Sequence, residues 1–213
     1  MTTTLSASKK FDWNLPVTEK VADCLRAFGI TVQRLKNNSP VHECRVELSD
    51  GDVCYITGPS GSGKSVLLRE FYNGFSSNEK IDISDIPLPS DKTCVDCIEA
   101  GVLDTLRMLS IAGLTDVFCV LNSPANLSDG QKYRYRIARA LAGAKKYIFA
   151  DEFCSSLDRV TAAVISHNIR RHAKKSGKVF ILASAHDDLL ADLRPEVIVI
   201  KHLAGQAEVI YKD

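Results

Sequence analysis

The chain has 213 residues, a length that suits one domain with a substantial hydrophobic core. Its 27 lysines and arginines nearly balance its 26 aspartates and glutamates, so the composition excludes the strong overall charge that draws proteins to nucleic acid or anionic membranes. No apolar run approaches the roughly 18 residues of a membrane helix, and the N-terminus lacks the apolar stretch of a secretion signal, so we expect a cytoplasmic location.

The first predicted elements precede residue 50. Residues 1 to about 15 offer too little apolar surface to offset the entropy cost of ordering, and we expect them to be disordered. Apolar residues at helical spacing predict a helix over 17–28. Residues 30–35 and 42–48 are predicted as strands, the second by clear alternation, so an antiparallel β layer follows the helix.

Residues 53–65 are the most informative stretch, because an apolar strand, a glycine-rich turn and the start of a helix follow one another there. The match to G-x-x-x-x-G-K-[ST] predicts a phosphate loop, in which inward-turned N–H groups and the helix N-terminus hold an anion. A glycine-rich hairpin with a solvated lysine is the alternative, disfavoured by the flanking elements. Lys64 is predicted to reach the outer phosphates, and Ser65 to ligate the Mg²⁺ of the nucleotide. The predicted nucleotide-binding residues are Gly58, Pro59, Ser60, Gly61, Ser62, Gly63, Lys64 and Ser65.

Two apolar runs, 147–150 and 179–183, predict strands of a sheet that is buried on both faces. The first run ends in Asp151 and Glu152. In a phosphate-loop protein, this position predicts that Asp151 holds the metal and that Glu152 activates the attacking water; a solvated or helix-capping pair is the alternative.

Residues 90–140 predict a helical lobe between strands. The fold class is therefore α/β: a P-loop NTPase core with a mostly parallel sheet, an N-terminal antiparallel β layer and an inserted helical lobe, forming a single domain over 1–213.

The seven cysteines are odd in number and scattered through helix-like and strand-like stretches. This pattern indicates mostly buried thiols in a reducing compartment and not a disulfide framework. Cys94 and Cys97 form the one pair with metal-like spacing. Without a second Cys/His pair at a suitable distance, packing on a helix is favoured over zinc binding or redox chemistry.

The stretch Leu127-Ser128-Asp129-Gly130-Gln131 lies just before a predicted helix that leads into the acidic strand. Taken alone, it is equally well an ordinary helix start capped by Ser128. Together with the phosphate loop and the acidic pair, it resembles the signature L-S-G-G-Q of the ATP-binding-cassette (ABC) ATPases, with Asp129 in place of a glycine. Residues 155–158 resemble the D-loop of that family, and His186 resembles its switch histidine.

The resemblance implies an ATPase in which two cassettes pair head to tail and sandwich two ATP molecules with Mg²⁺. The second cassette is another copy of the chain or a related protein. Catalytic roles are implied for Glu152, His186 and Lys64. The residues implied to reach the nucleotide from the opposite subunit are Ser128, Gly130 and Gln131.

The chain also departs from the transporters of that family. Glutamine occurs only at positions 33, 131 and 206, so the Q-loop glutamine between the phosphate loop and the signature is absent, and Ser65 and Ser128 are only 63 positions apart. The sequence is similar to a non-transport subgroup whose cassettes are sometimes joined to a predicted acetyltransferase domain. We therefore expect a partner other than a permease. The alternatives are the ATPase subunit of a membrane transporter and a nucleic-acid-binding module, the latter disfavoured by near-neutral charge and by the lack of a long coiled-coil insertion.

Overall fold

The computed structural model describes residues 2–10, 12–37, 41–203 and 206–212, which form eight strands and eight α-helices. The strands are β1 (Thr2–Lys10), β2 (Val41–Ser49), β3 (Val53–Thr57), β4 (Lys80–Asp82), β5 (Tyr147–Ala150), β6 (Val179–Ala183), β7 (Val197–Ile200) and β8 (Glu208–Tyr211). The helices are α1 (Glu19–Ala27), α2 (Val32–Asn37), α3 (Lys64–Asn73), α4 (Val102–Ile111), α5 (Val117–Val120), α6 (Asp129–Ala142), α7 (Arg159–Ser176) and α8 (Leu190–Leu193).

The main sheet has six strands in the order β4-β5-β6-β3-β7-β8, all parallel to their neighbours except β8, which runs antiparallel to β7. Tyr55 of β3 and Ala150 of β5 both pair with Leu182 of β6. Ala150, the last residue of β5, therefore lies level with Tyr55 of β3, about 10 Å away at two strand spacings. This arrangement confirms the predicted α/β class with a mostly parallel sheet.

The sheet is covered on both faces, as its unbroken apolar runs predict. In β3, Val53 and Tyr55 belong to a hydrophobic cluster shared with residues of α4, α6 and α7. The alternate residues Cys54 and Ile56 belong to a second cluster shared with α3, β1 and β2. Because successive strand residues point to opposite faces, one short strand contributes to both layers.

The N-terminal residues correct the expectation of disorder. Residues 2–10 form β1, which pairs antiparallel with β2 along its whole length. Leu5 and Ala7 are each only 4% exposed, so the strand buries apolar side chains on one face while its backbone is hydrogen-bonded. Residues 1 and 11, to which the same expectation applied, lie outside the described residues. The predicted antiparallel layer is present, but β1 and not residues 30–35 supplies the strand beside β2.

The strand predicted over 30–35 is wrong, because α2 occupies Val32–Asn37. The β-branched residues Ile30, Thr31 and Val32 favour a strand by propensity. Instead, the Thr31 hydroxyl oxygen accepts a hydrogen bond from the Arg34 amide at 3.1 Å, as in a capped helix start. The helix predicted over 17–28 is present as α1, with Thr18 as its N-cap.

The predicted helical lobe contains α4, α5 and α6. Cys94 and Cys97 lie in turns that precede α4, not on a helix, and both are buried in the main core. All seven cysteines are free thiols, as expected. Among the described residues, no group of three or more His, Cys, Asp or Glu side chains is arranged to hold a metal, and no helix has the length and apolar character to cross a membrane.

Candidate functional site

The loop between β3 and α3 is closed around its own lysine. The Lys64 ammonium is inside the loop, where it donates hydrogen bonds to the carbonyl oxygens of Gly58 at 2.8 Å and Pro59 at 3.0 Å. The residue is only 7% exposed. The Ser62 hydroxyl is buried and has no hydrogen-bond partner in the described part of the chain. A buried cation beside an unsatisfied hydroxyl, at the N-terminus of α3, is suited to an anion such as phosphate.

Gly58 approaches the neighbouring strand more closely than any side chain allows. Its φ is +139°, and a Cβ placed on it would lie 2.0 Å from the carbonyl oxygen of Lys201. We expect Gly58→Ala to lower the free energy of unfolding by about 3 kcal/mol or more, because backbone strain adds to a clash with backbone. Gly61→Ala is the matched control: its φ is +77°, nothing lies within 4 Å of its Cβ, and a cost of about 1–2 kcal/mol is expected. Equal losses in urea unfolding of the two variants would show that the close approach does not constrain the loop.

His42 packs beneath the loop, although no sequence motif marks it as a site residue. Its Cε1 atom lies 2.2 Å from the position of a Cβ on Gly63, so the imidazole occupies the space beside the last residue of the loop. Burial, and then the charge of Lys201, lower the pKa of His42. The only sequence signal is its inward position in the alternation of β2, where apolar residues are expected.

The acidic pair lies on a strained turn. Glu152 and Cys154 are both in the left-handed region, with φ of +48° and +58°, where non-glycine residues are uncommon. The Phe153 amide donates to the Ala183 carbonyl at 2.8 Å, and the Cys154 amide donates to the Tyr133 hydroxyl at 2.9 Å. These bonds from β6 and α6 hold the strained residues in place. Glu152 itself is exposed, and its amide donates to an Asp151 carboxylate oxygen at 3.0 Å.

Helix α6 begins at an exposed N-terminus that carries a capping box. The Ser128 hydroxyl accepts from the Gln131 amide at 3.4 Å, and the Gln131 side chain accepts from the Ser128 amide at 3.0 Å, which forms a capping box. The Gln131 side chain also contacts the Cys119 sulfur at 2.9 Å, so it is engaged within its own lobe. The Asp129 side chain is 98% exposed, where an acidic residue favours the helix dipole.

His186 is held by groups from β3 and α7. Its carbonyl oxygen accepts from the Tyr55 hydroxyl at 2.6 Å, and its Nδ1 atom lies 3.0 Å from a guanidinium nitrogen of Arg159. Because a guanidinium only donates hydrogen bonds, Nδ1 must accept, and the ring proton resides on Nε2. Arg159 also forms an ion pair with Asp188 at 3.0 Å. No sequence motif indicates Arg159, because its contact with His186 joins residues 27 positions apart.

The predicted site residues fall into two groups. The phosphate loop, Asp151 with Glu152, and His186 all follow the carboxyl ends of three neighbouring parallel strands, so the fold brings them to one edge of the sheet. Ser128 belongs to the helical lobe. There α6 packs on α4 and on the 3-10 turns Ile83–Asp85 and Pro124–Asn126, whereas α3 packs on β1, β2, β3 and β6. A Cβ on Gly130 would lie 3.4 Å from the Leu157 side chain, so the signature adjoins the D-loop.

No protein-family model matches this sequence. The chain is 30% identical over 228 residues to the phosphonates import ATP-binding protein PhnC of Hyphomonas neptunium, an alignment that covers 84% of this chain and 87% of PhnC. It is 27% identical over 204 residues to the methionine import ATP-binding protein MetN of Histophilus somni, covering 78% of this chain. The chain spans 58% of the length of that MetN.

Solved structures show the same fold. The dimeric bacterial ABC transporter cassette MJ0796 is similar with a TM-score of 0.67 and 19% identity, covering 99% of this chain and 98% of that one. The post-hydrolysis dimer of MJ0796 with ADP and Pi is similar with a TM-score of 0.66, at the same identity and coverage. With the similarity to PhnC over most of both proteins, these findings show that the chain belongs to the ATP-binding-cassette family of ATPases.

Proposed function

We propose that residues 1–213 form a single ABC-type domain that binds and hydrolyses Mg²⁺-ATP as a head-to-tail dimer. Each of two ATP molecules is held between the phosphate loop and acidic pair of one subunit and the signature of the other. The observation that carries this proposal is that the site residues belong to two different parts of the fold. The loop, the acidic pair and His186 share one sheet edge, while the exposed N-terminus of α6 belongs to the lobe.

The loop residues 58–65 are proposed to hold the phosphates of ATP. Exchange of the two loop carbonyls for phosphate oxygens keeps the Lys64 ammonium hydrogen-bonded and gives it a negative partner. The buried Ser62 hydroxyl gains the partner that it lacks in the described chain. The buried polar groups of the loop therefore have more favourable hydrogen-bond partners when a polyphosphate is bound than when it is not.

The ligands of Mg²⁺ are proposed to be Ser65, the second residue of α3, and Asp151, which directly follows β5. Besides the phosphates of its substrate, Mg²⁺ usually takes only one or two protein ligands. One hydroxyl and one carboxylate therefore fit its usual set of donors. When bound, the ion neutralises charge on the phosphates. Glu152, exposed beside Asp151, is proposed to take a proton from the attacking water.

The signature is proposed to complete the site of the other subunit. Ser128 and Asp129 are exposed, and α6 runs for 14 residues, so its positive end and free N–H groups face solvent in the single chain. A γ-phosphate at this end satisfies those donors. Gln131 contributes through the capping box that orders the turn and not by direct contact, because its side chain is already bonded to Ser128 and Cys119.

Arg159 is proposed as a positioning residue for His186. It orients the imidazole so that the Nε2–H group donates a hydrogen bond to the γ-phosphate. We expect Arg159→Ala to lower kcat roughly 10- to 100-fold, because a misplaced donor loses much of its effect, while KM for ATP stays nearly unchanged. Arg159→Lys, which still donates to Nδ1, should restore part of the rate. Steady-state kinetics over a range of ATP concentrations measures both constants. A rise in KM with unchanged kcat, or no rescue by lysine, would contradict the role.

The partner proposed first is a membrane permease, in the manner of an import transporter. PhnC and MetN are import ATP-binding proteins, which favours this reading over the non-permease partner expected from the sequence. The lobe also carries exposed apolar side chains on one face of each of two helices, including Leu103 of α4 at 81% and Phe118 of α5 at 83% exposure. Exposed apolar faces of this kind mark protein interaction sites.

A non-permease partner remains the second candidate, favoured by the absence of glutamine between residues 65 and 128. Affinity capture from detergent-solubilised cells distinguishes the two. Capture of a polytopic membrane protein by the unchanged chain, lost in Phe118→Glu but kept in the matched control Leu203→Glu, supports the permease. Leu203 is 72% exposed and lies outside the lobe. Capture of soluble proteins alone, lost in the same variant, supports the second candidate.

A further inference from the structure

A large groove lies between the helical lobe and the core, away from the phosphate loop. Its walls come from α4, α7 and the end of α8, and its volume is about 960 Å³. We call it the basic groove, defined by Arg107, Arg170, Arg171, His172, Lys175 and Arg194. A helix rises about 1.5 Å per residue, so Arg171 lies roughly 18 Å along α7 from Arg159 at the nucleotide edge.

The positive charge of the groove is only partly neutralised. Arg107 pairs with Asp104, Arg170 pairs with Glu196, and Asp192 also lines the wall. Lys174, which also lines the groove, pairs with Asp52 and Glu196. Three further lysine and arginine members of the groove are Arg171, Lys175 and Arg194. Among the residues that the structure describes, no carboxylate lies within ion-pair distance of these three. In a chain with a net charge of +1, this is a local concentration of cations.

Two buried nitrogen atoms in the groove residues lack hydrogen-bond partners within the described chain, Nη1 of Arg170 and Nε2 of His172. Buried polar atoms are nearly always paired, so these two nitrogens keep unused hydrogen-bonding capacity next to the groove. Burial, and then the charges of Lys178 and Lys175, lower the pKa of His172. The electrostatic potential at the His172 ring is therefore positive, although the ring itself is mostly neutral near pH 7.

We propose that the basic groove binds a compact phosphate-bearing small molecule that bridges the helical lobe and the core. Arginine forks match phosphate oxygens in pairs, and the volume falls within the range of small-molecule sites. Met108 and Ile111 give the groove an apolar wall for the remainder of the ligand. Among the residues that the structure describes, no Phe, Tyr or Trp side chain lines it, so it lacks the large stacking surfaces of a single-strand nucleic-acid site.

Bridging gives the site a role distinct from catalysis. Asn168 of α7 donates to the carbonyl of Ile111 in α4 at 3.0 Å, so the groove already spans a contact between lobe and core. A ligand held by Arg107 on one side and by Arg171 and Lys175 on the other adds charged bonds across the same junction. Occupancy then fixes the lobe, and with it Ser128, relative to the phosphate loop.

Calorimetric titration with inositol hexakisphosphate, a compact polyphosphate, tests the proposal. The unchanged chain is compared with Arg171→Ala/Lys175→Ala and with the control Lys20→Ala/Arg34→Ala, which removes the same charges from exposed sites on α1 and α2. Any binding at the phosphate loop is common to all three proteins. We expect affinity to fall about 10-fold or more in the groove variant and to stay within about 2-fold in the control. Arg171→Lys/Lys175→Arg, which keeps both charges, should bind nearly as the unchanged chain does.

Two results would overturn the proposal. The first is equal affinity of the groove variant, the control and the unchanged chain, because the binding would then lie elsewhere. The second is tighter binding of an oligonucleotide or of polyglutamate than of inositol hexakisphosphate, with the same loss in the groove variant. That outcome would assign the groove to a macromolecule.

Discussion

Lys64→Ala is expected to abolish ATP binding at concentrations that saturate the unchanged chain. The Lys64 ammonium is the one charged group that the structure places inside the loop among the residues it describes, and it is almost fully buried. Loss of one partner from a buried pair of charges costs about 2–5 kcal/mol, or roughly 30-fold to several thousand-fold in affinity. Equilibrium binding of a fluorescent ATP analogue measures the loss.

Two controls separate loss of charge from loss of structure. Lys64→Met keeps the length of the side chain without its charge and should lose binding equally. Arg69→Ala removes an exposed charge from the same helix and should bind ATP normally. Binding by Lys64→Met with near-normal affinity would refute the electrostatic role, since only the positive charge has been removed.

Glu152→Gln is expected to keep ATP binding and to slow hydrolysis about 10²–10⁴-fold, the range for a positioned base. Glutamine matches the shape of glutamate but cannot accept the proton of the attacking water. Glu152 is exposed at the sheet edge, and its strained backbone fixes its direction, so the substitution should leave the fold unchanged. Phosphate release under saturating ATP measures the rate.

The matched control is Glu99→Gln, another exposed glutamate, which lies in the helical lobe. It should hydrolyse ATP at the normal rate. Normal turnover by Glu152→Gln would remove the residue from the mechanism, whereas loss of ATP binding would point to a structural role for the strained turn.

Elements with strong local patterns were predictable from the sequence. The buried runs gave β5 and β6 with the predicted bounds, and glycines mark both ends of the phosphate loop. Residues 2–10 form a strand despite weak local signals, because β2 supplies the hydrogen bonds and the core buries Leu5. Residues 30–35 carry a local strand propensity, but a capped turn at Thr31 overrides it.

The site was predictable where its residues are contiguous and not where they meet only in the fold. The loop and the acidic pair occupy short stretches with a fixed order. Contacts of His42 with the loop, of Tyr133 with Cys154, and of Arg159 with His186 each join different elements. Such contacts depend on how helices and strands pack, which periodicity and spacing do not determine.

The central claim is that each nucleotide site is completed by the signature of a second subunit. Its most direct test is the mass, by light scattering in Mg²⁺-ATP, of Glu152→Gln and of Glu152→Gln/Ser128→Arg. The first should double the mass of the 23.4 kDa chain only when ATP is present, because slow hydrolysis traps the closed dimer. The second should stay monomeric, since arginine blocks the exposed start of α6. A dimer in both variants, or in neither, would contradict the composite site.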